Sequence, residues 1–597
     1  MLLQLIDTIL LIFITLNLGI VTRDLLARFF RTPLHTDLLE LFLLGLLSSS
    51  IYFNILSFFR PVDYTTLLPL CLLSLAVTFF YRQKSRTVWL SVRNNVTFLF
   101  SGRRWIVTTV IGIVLLFYWL LPCGTDDSLI YHFQSILWYE KFKVVPGLAN
   151  LNGRLGFNPA SFLIESAYSF SDIAGQALYP LNGAATLFLF SWLLLRVLRH
   201  GRSLISLLYA ALIILVFRHT LIDISSPTSD GMSVTCMVYI LVRIAEYSLS
   251  RDKTPGAAIL PALITLFAIV IKPATFALLP ALPYLYFTLP RTQRKTMLLL
   301  RVALLSLLIY LPWLGRNYIL SGYLVFPFSA TGFFHPDWKV PKDLVKLEIN
   351  LIHIAPKMER HFKFDWTPAA AALARTPLGW FPHWVKDSFA DRFMDLMFLF
   401  MALLSPLYWL IRLFWKKDRS PLLFPWVLAF AAMLLWMQAS PVFRFGSIYV
   451  CMTLMLPFFD LAYVLQERPL QKGNALLAYL PRLYPGLLVL PLLLTIAYYL
   501  YTGYTRPSSR GFNFADCWVR PIQSAGYNLE EKTNFPYRVL KNGTKLYLAD
   551  DTHNCINTCL PCMEFKYGEI EMRGASLADG FRNTLNEIKY HYGEMLW

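Results

Sequence analysis

Asp126 and Asp127 stand immediately before a segment in which Ser128, His132, Ser135 and Tyr139 recur at helical spacing, with Leu129, Phe133, Ile136 and Leu137 opposite them. That pattern predicts an amphipathic helix over 128–142, able to lie in the plane of a membrane interface. An acidic pair at its start suits two roles. One is structural, because an ionised carboxylate at a helix N-terminus is favoured by free backbone N–H groups and by the helix dipole. The other is catalytic, because a carboxylate at headgroup level, one turn from His132, can take a proton from an incoming hydroxyl.

Residues 144–158 follow with three glycines, one proline and three asparagines, and Arg154 is the one cation among them. Such backbone brings amides close to a ligand or simply orders a loop. A second short amphipathic segment, 159–170, leads into the next apolar run. Further polar residues break or end apolar segments: Asp223, the run Ser226 to Asp230, Lys272-Pro273, Arg316-Asn317 and Arg444.

The elements that must position these groups are membrane helices. Of 597 residues, 56% are hydrophobic and 15% charged, with a mean hydropathy of +0.51, more apolar surface than one soluble core can bury. A soluble enzyme is excluded. Apolar runs long enough to cross a bilayer predict fourteen spans at about 1–21, 39–59, 65–81, 105–121, 176–195, 203–217, 231–249, 256–271, 274–290, 298–313, 393–411, 421–437, 447–466 and 485–502. The first lacks a basic leader and a small-residue cleavage site and reads as a retained span.

One set of connections carries 26 Lys and Arg, including Arg82 to Arg104, Arg196 to Arg202 and Arg412 to Arg419, whereas the short connections of the other set carry seven. The positive-inside rule makes the first set cytoplasmic and both termini external. This bias accounts for the net charge of +18, and residues 503–597 add 11 basic and 11 acidic groups, so nucleic acid is not an expected partner. Three long polar stretches, 122–175, 314–392 and 503–597, then share the external face. No internal duplication is visible, which disfavours transporter folds built from inverted repeats.

The order of a span, an acidic pair, two interfacial helices in one external loop and a returning span resembles the GT-C superfamily of integral membrane glycosyltransferases. Asp127-Ser-Leu-Ile-Tyr131-His132, Val145-Pro-Gly-Leu-Ala-Asn with Arg154-Leu-Gly, and Pro312-Trp-Leu-Gly-Arg-Asn317 with Gly322 and Phe326-Pro327 are similar to a group of uncharacterised bacterial polytopic proteins related to it. The likeness covers about 105–330, with Ser440 to Phe445 less specific. GT-C enzymes share a seven-span module followed by a large external loop, and spans four to ten followed by 314–392 match that count. They place the acidic motif after their first span, whereas three spans precede it here.

The expected architecture is therefore an all-α polytopic membrane protein of about fourteen transmembrane helices: an added N-terminal module, 1–104; a GT-C-like core, 105–313, with its first external loop at 122–175; a large external loop, 314–392; C-terminal spans, 393–502; and a small extracytoplasmic α+β domain, 503–597. The resemblance implies transfer of a sugar from a polyprenyl-phosphate-linked donor to a glycan, lipid or protein acceptor outside a bacterial cytoplasmic (inner) membrane. It makes Asp127 the base, with Asp126 in reserve and His132 beside it. A lipid phosphate needs cations and donors, for which Lys272, Arg316 and Arg444 are candidates beside ordinary headgroup snorkelling. Tyr131, Arg154, Asn158, Asp223, Asp230 and Asn317 complete the expected substrate-binding set. No metal or cofactor is required, although Asp223 and Asp230 leave room for a divalent cation or the sugar. A flippase-like transporter of lipid-linked saccharides and a noncatalytic envelope-assembly scaffold are the competing readings.

Cys71, Cys236 and Cys451 lie in apolar spans and read as packing residues. Cys517, Cys555, Cys559 and Cys562 are an even set in a compartment the topology makes external, so disulfides are expected, with three connectivities open. A zinc site from Cys555, Cys559, Cys562 and Cys517 or His553 is the alternative. Tyr547 and Leu548 read as strand, and 577–590 as helix.

Overall fold

A computed structural model describes residues 2–102, 104–120, 125, 127–201, 203–251, 253–291, 296–361, 368–389, 392–415, 420–466, 485–491, 493–494, 497, 536–548, 555, 560–563 and 569–583. Its helices are α1 (Leu2–Phe30), α2 (Leu38–Leu56), α3 (Leu67–Phe80), α4 (Arg82–Leu99), α5 (Arg104–Leu120), α6 (Phe133–Lys141), α7 (Ala160–Tyr168), α8 (Ser171–Ala174), α9 (Leu181–Arg199), α10 (Leu204–Thr220), α11 (Ser229–Leu249), α12 (Pro255–Ile271), α13 (Ala281–Phe287), α14 (Thr296–Ser321), α15 (Lys342–His353), α16 (Pro368–Arg375), α17 (Phe381–Phe389), α18 (Phe393–Trp415), α19 (Leu423–Ala439) and α20 (Phe443–Gln466).

Among the described residues, α1, α2, α9, α11, α14, α18 and α20 are long and apolar enough to cross a membrane, and an eighth span arises if the bent pair 64–80 and 82–99 counts as one. The expected spans at 105–121, 203–217, 256–271, 274–290 and 421–437 fall on apolar helices of 10–17 residues. Local chemistry shortens some of these. Pro273 has no amide to continue α12, whose last turn closes at Ile271. Residues 65–81 end in a bend of 98° before α4. Of the span expected at 485–502, residues 485–491 are helical and most of the rest lies outside the described residues.

Small residues bring the first two helices together. A Cβ at Gly19 would meet the Leu41 carbonyl oxygen at 2.1 Å, and one at Gly45 the Thr15 oxygen at 1.9 Å, so both positions need glycine. Asp37 and Glu40 form a reciprocal capping box that fixes the start of α2. The same two acids meet Arg243 of α11 at 2.6 and 2.8 Å, and Arg243 also reaches Glu246 at 2.9 Å. Residues 1–104 thus share the core of the whole bundle, with α1 and α2 contributing Leu11, Phe42 and Phe53 to it.

At the other end, backbone bonds gather the polar stretches. The Val62 amide donates to Tyr139 and the Val144 amide to Ser57, both at 2.8 Å; the Gly147 amide donates to Ile319 at 2.8 Å and the Phe581 amide to Pro146 at 3.0 Å. Described parts of 122–175, 314–392 and 503–597 therefore meet at one end of the bundle.

Two expectations are corrected here. The segment 128–142 is helical, opening with a wide π-type turn over Ser128–His132. It does not present an apolar face to lipid and a polar one to water, because α6 buries Gln134, Ser135, Tyr139 and Glu140 as well as Phe133, Ile136 and Trp138. All nine residues of α7 are buried too, so protein surrounds both helices. The helix expected over 577–590 is instead a 3₁₀ turn, Leu577–Asp579, and a strand, Phe581–Asn583, with 584–590 outside the described residues. Gly580 separates the two at φ +92°, where a helix cannot continue.

The strands are β1 (Tyr537–Val539), β2 (Lys545–Leu548), β3 (Cys562–Met563), β4 (Ile570–Met572) and β5 (Phe581–Asn583). β1 pairs antiparallel with β2, β2 parallel with β3, and β4 antiparallel with β5. Cys555 and Cys562 form a disulfide, which answers part of the connectivity question. Cys517, Cys559 and His553 lie outside the described residues, as does Cys123. Cys236 and Cys451 are buried thiols and Cys71 is half-buried.

Candidate functional site

Asp127 sits where α5 gives way to the turn before α6, and its side chain makes no capping bond. The carboxylate instead pairs with the Arg444 guanidinium at the start of α20, so the capping role does not hold for Asp127. Asp126 lies outside the described residues. The Arg444 Nε lies 3.6 Å from Asp230, and Asp230 also pairs with Lys272. Lys272 follows the last turn of α12, its Nζ 3.6 Å from the centre of the Phe445 ring. Four residues that are far apart in sequence thus form one alternating chain of charge: Asp127, Arg444, Asp230, Lys272.

Asp223 completes the group. It lies in the short connection between α10 and α11, and its carboxyl is pushed well up by burial and by Asp230, against the pull of Arg444 and Lys272. Asp127 behaves oppositely. Burial would raise it, but Arg444, His132 and Arg154 together hold it below the usual carboxylate range. Two neighbouring carboxyls are therefore pushed in opposite directions, Asp127 toward its ionised form and Asp223 toward its protonated form.

Close approach of backbone makes this arrangement possible. A Cβ at Gly231 would stand 2.8 Å from the Asn182 side-chain oxygen and 3.3 Å from Cβ of Asp223. Asn182, at the start of α9, donates to the carbonyls of Ser226 and Thr228, both at 2.7 Å, and so fixes the connection that carries Asp223 and Asp230. Sequence reading missed Asn182; its signal is a buried amide two residues after Pro180, at the head of an apolar helix.

His132 does not touch Asp127. Its Nδ1 is 2.8 Å from the Ser128 hydroxyl, which lies 2.7 Å from Ser226 and 2.6 Å from Thr125. Its ring packs between Tyr131 and Phe162. Burial carries its pKa down to about 4 despite Asp127 and Asp230, so the imidazole is neutral at pH 7. Burial and Asp127 raise the Tyr131 phenol. Arg154 lies over the Tyr131 and Phe157 rings and pairs with Glu348 of α15 at 3.0 Å. Glu348 is a second residue the sequence did not single out, a lone buried acid on an amphipathic helix.

The remaining expected residues lie apart. Arg316, on α14 and 1% exposed, donates to the Asn158 side-chain oxygen at 3.0 Å and stacks over Tyr139. Asn158 is held in turn by Trp313, whose indole donates to its carbonyl at 2.7 Å. Asn317 is buried beside them. The structure thus brings together Asp127, Tyr131, His132, Arg154, Asp223, Asp230, Lys272 and Arg444, and puts Asn158, Arg316 and Asn317 in a neighbouring packed joint. Among the described residues no group of three or more His, Cys, Asp or Glu is arranged to hold a metal ion.

The fold and the site define a polytopic helical protein, with helices able to span a membrane and a half-buried charge cluster that includes Asp127 of its first long polar stretch. The chain belongs to the family described as a domain of unknown function (DUF8201), whose model matches residues 1–451. That match begins with α1 and ends inside α20, beyond Arg444. No curated protein and no solved structure matches the chain.

Proposed function

We propose that the protein is a membrane glycosyltransferase that moves a sugar from a polyprenyl-phosphate-linked donor to a cell-envelope acceptor on the external face of a bacterial cytoplasmic membrane. The observation that carries this reading is the convergence of Lys272 and Arg444 on Asp127 and Asp230, beside an Asp223 that burial pushes toward its protonated form. In this reading the chain crosses the bilayer fourteen times, the shorter apolar helices included, and the end that holds the cluster is external. The order of spans, acidic loop and later polar stretch then resembles a GT-C core.

The chemistry follows from charge. Departure of a lipid phosphate places negative charge on oxygen, which Lys272 and Arg444 neutralise. An entering phosphate competes with the carboxylates for these cations and loosens Arg444 from Asp127. Asp127 is then an ionised carboxylate with its strongest partner drawn away, able to take the acceptor hydroxyl proton as the new glycosidic bond forms. Asp223, protonated, donates a hydrogen bond to the sugar or phosphate. His132, neutral and tied to Ser128, holds the helix start that carries Asp127.

The test is a deletion strain complemented with wild type or Asp127→Asn at equal membrane abundance, with surface glycans and lipid-linked intermediates read by mass spectrometry. Loss of a glycan, with accumulation of its lipid-linked donor, supports transfer and names the donor. Full restoration by the variant removes Asp127 as base, and unchanged glycans in the deletion strain itself remove the reading.

A further inference from the structure

Away from the charge cluster, Asp7 of α1 and Glu165 of α7 are carboxyl groups inside the helical bundle, 3% and 1% exposed. Among the described residues no side chain bonds to any of their four oxygens, and the Leu181 amide is the donor that approaches Glu165. They act on one another through space. The Tyr168 hydroxyl, on the turn after Glu165, is fully buried, equally unpartnered, and in the field of Asp7. Three polar groups from two helices thus converge without bonding to each other.

Their surroundings supply no counter-charge. Cys71 of α3 faces Tyr168, the Leu181 amide at the head of α9 faces Glu165, and among the described residues no lysine, arginine or histidine acts on either carboxyl. The antiparallel register in which Gly19 meets Leu41 and Gly45 meets Thr15 brings Asn54 of α2 to the level of Asp7. The Asn54 side-chain oxygen is buried and unpartnered as well. This is a collection of acceptors. Two bare carboxylates inside a bundle cost several kcal/mol each, by roughly the penalty for a buried unpaired ion, so a positive charge must accompany them.

We propose that Asp7, Glu165 and Tyr168 form a binding site for one monovalent cation, a proton or Na⁺. Two carboxyls and a hydroxyl suit a single positive charge, whereas Ca²⁺ collects six to eight oxygens. The site shares no residue with the charge cluster and stands or falls independently of sugar transfer.

Infrared spectroscopy of the purified full chain in detergent tests this. The carbonyl band of protonated carboxylic acid is followed from about pH 5 to about pH 10, a range that brackets raised carboxyl pKa values, first in choline chloride and then in NaCl of equal ionic strength. We expect about one protonated carboxyl per chain that declines as pH rises and is missing from the double variant Asp7→Asn/Glu165→Gln. In each single variant the remaining buried carboxyl keeps its proton to higher pH, because no second carboxylate shares it. Asp223 contributes equally to wild type and variants and cancels in the difference. Loss of the band on adding Na⁺ at fixed pH, with a rise in Tm, assigns the site to Na⁺; indifference to Na⁺ assigns it to the proton. Asp7→Glu, which keeps the carboxyl, must retain the band, and it guards against misfolding of the amide variants. A band that ignores both pH and Na⁺, or one unchanged in the double variant, overturns the proposal.

Discussion

Arg444, at the head of α20, is paired with Asp127 across 317 residues of sequence. The contact joins the first polar loop to the last helix that the family model reaches. It also ties the residue proposed as base to a residue proposed to receive phosphate, so altering either changes the electrostatic surroundings of the other.

We expect Asp127→Asn and Arg444→Gln each to lower product formation by roughly 100-fold or more, the scale of a lost general base, with membrane abundance preserved. The double variant is expected to be worse than either single one, because the two residues act on different groups in the proposed step. Glycan yield per unit of membrane protein checks this; a double variant no worse than the singles would reduce both residues to one structural ion pair.

His132 sets an acid limit on stability. Its folded pKa of about 4 lies below the ordinary 6.5 because burial disfavours the imidazolium. Between those values the unfolded chain binds more protons than the folded one. The contribution is therefore complete above about pH 6.5 and declines as pH falls toward 4, by up to ~3 kcal/mol in total. Thermal melting in detergent from about pH 7 to about pH 5 is expected to show a falling Tm, and His132→Gln to flatten that slope.

Lys272 is half-buried and Arg316 fully buried, and the two cations are expected to fail differently. Arg316→Lys loses the bond to Asn158 and the stack on Tyr139, costing about 1–3 kcal/mol of stability while activity per folded molecule stays near wild type. Lys272→Met removes a partner of Asp230 and is expected to abolish product in molecules that still fold. Melting and turnover measured on the same preparations separate the two.

Reduction of the Cys555–Cys562 disulfide is expected to loosen the strand region by about 2.5 kcal/mol, the chain-entropy scale for so short a loop. A membrane-impermeant maleimide added to intact spheroplasts should label these cysteines after reduction and not before. Labelling only after the membrane is opened would reverse the external assignment.

Much of the architecture could be read from the chain, for reasons that differ by element. Apolar length marked the helices, because a helix surrounded by lipid and other helices needs little else. Among the described residues seven of these helices have full spanning length, while Pro273 and the bend after Phe80 close two of the shorter ones. The individual charges of the cluster could be read because an Asp, Lys or Arg at the end of an apolar run is conspicuous. Their pairing could not, since Asp127 and Arg444 meet only through the packing of α10, α11 and α20. Arg316 was equally conspicuous and belongs to a packed joint, because residue type does not say whether a cation faces a ligand or an asparagine. Asn182 and Glu348 escaped for the opposite reason: their surroundings, not their spacing, give them importance. Burial on every side of α6 was also hidden, since its helical spacing of polar residues is the same whether water or protein receives them.

The hairpin of β4 and β5 reaches back to the first polar loop, where the Phe581 amide meets Pro146 and the Phe581 ring lies against Trp138, and to the second, where Arg573 pairs with Asp337 at 2.7 Å. Protein synthesis gives this contact a timing. Residue 146 leaves the ribosome long before residue 581 exists, so the loop that follows Asp127 stands without this strand until the chain has grown past β5. A chain released before that point carries every charge of the cluster and lacks its outer support.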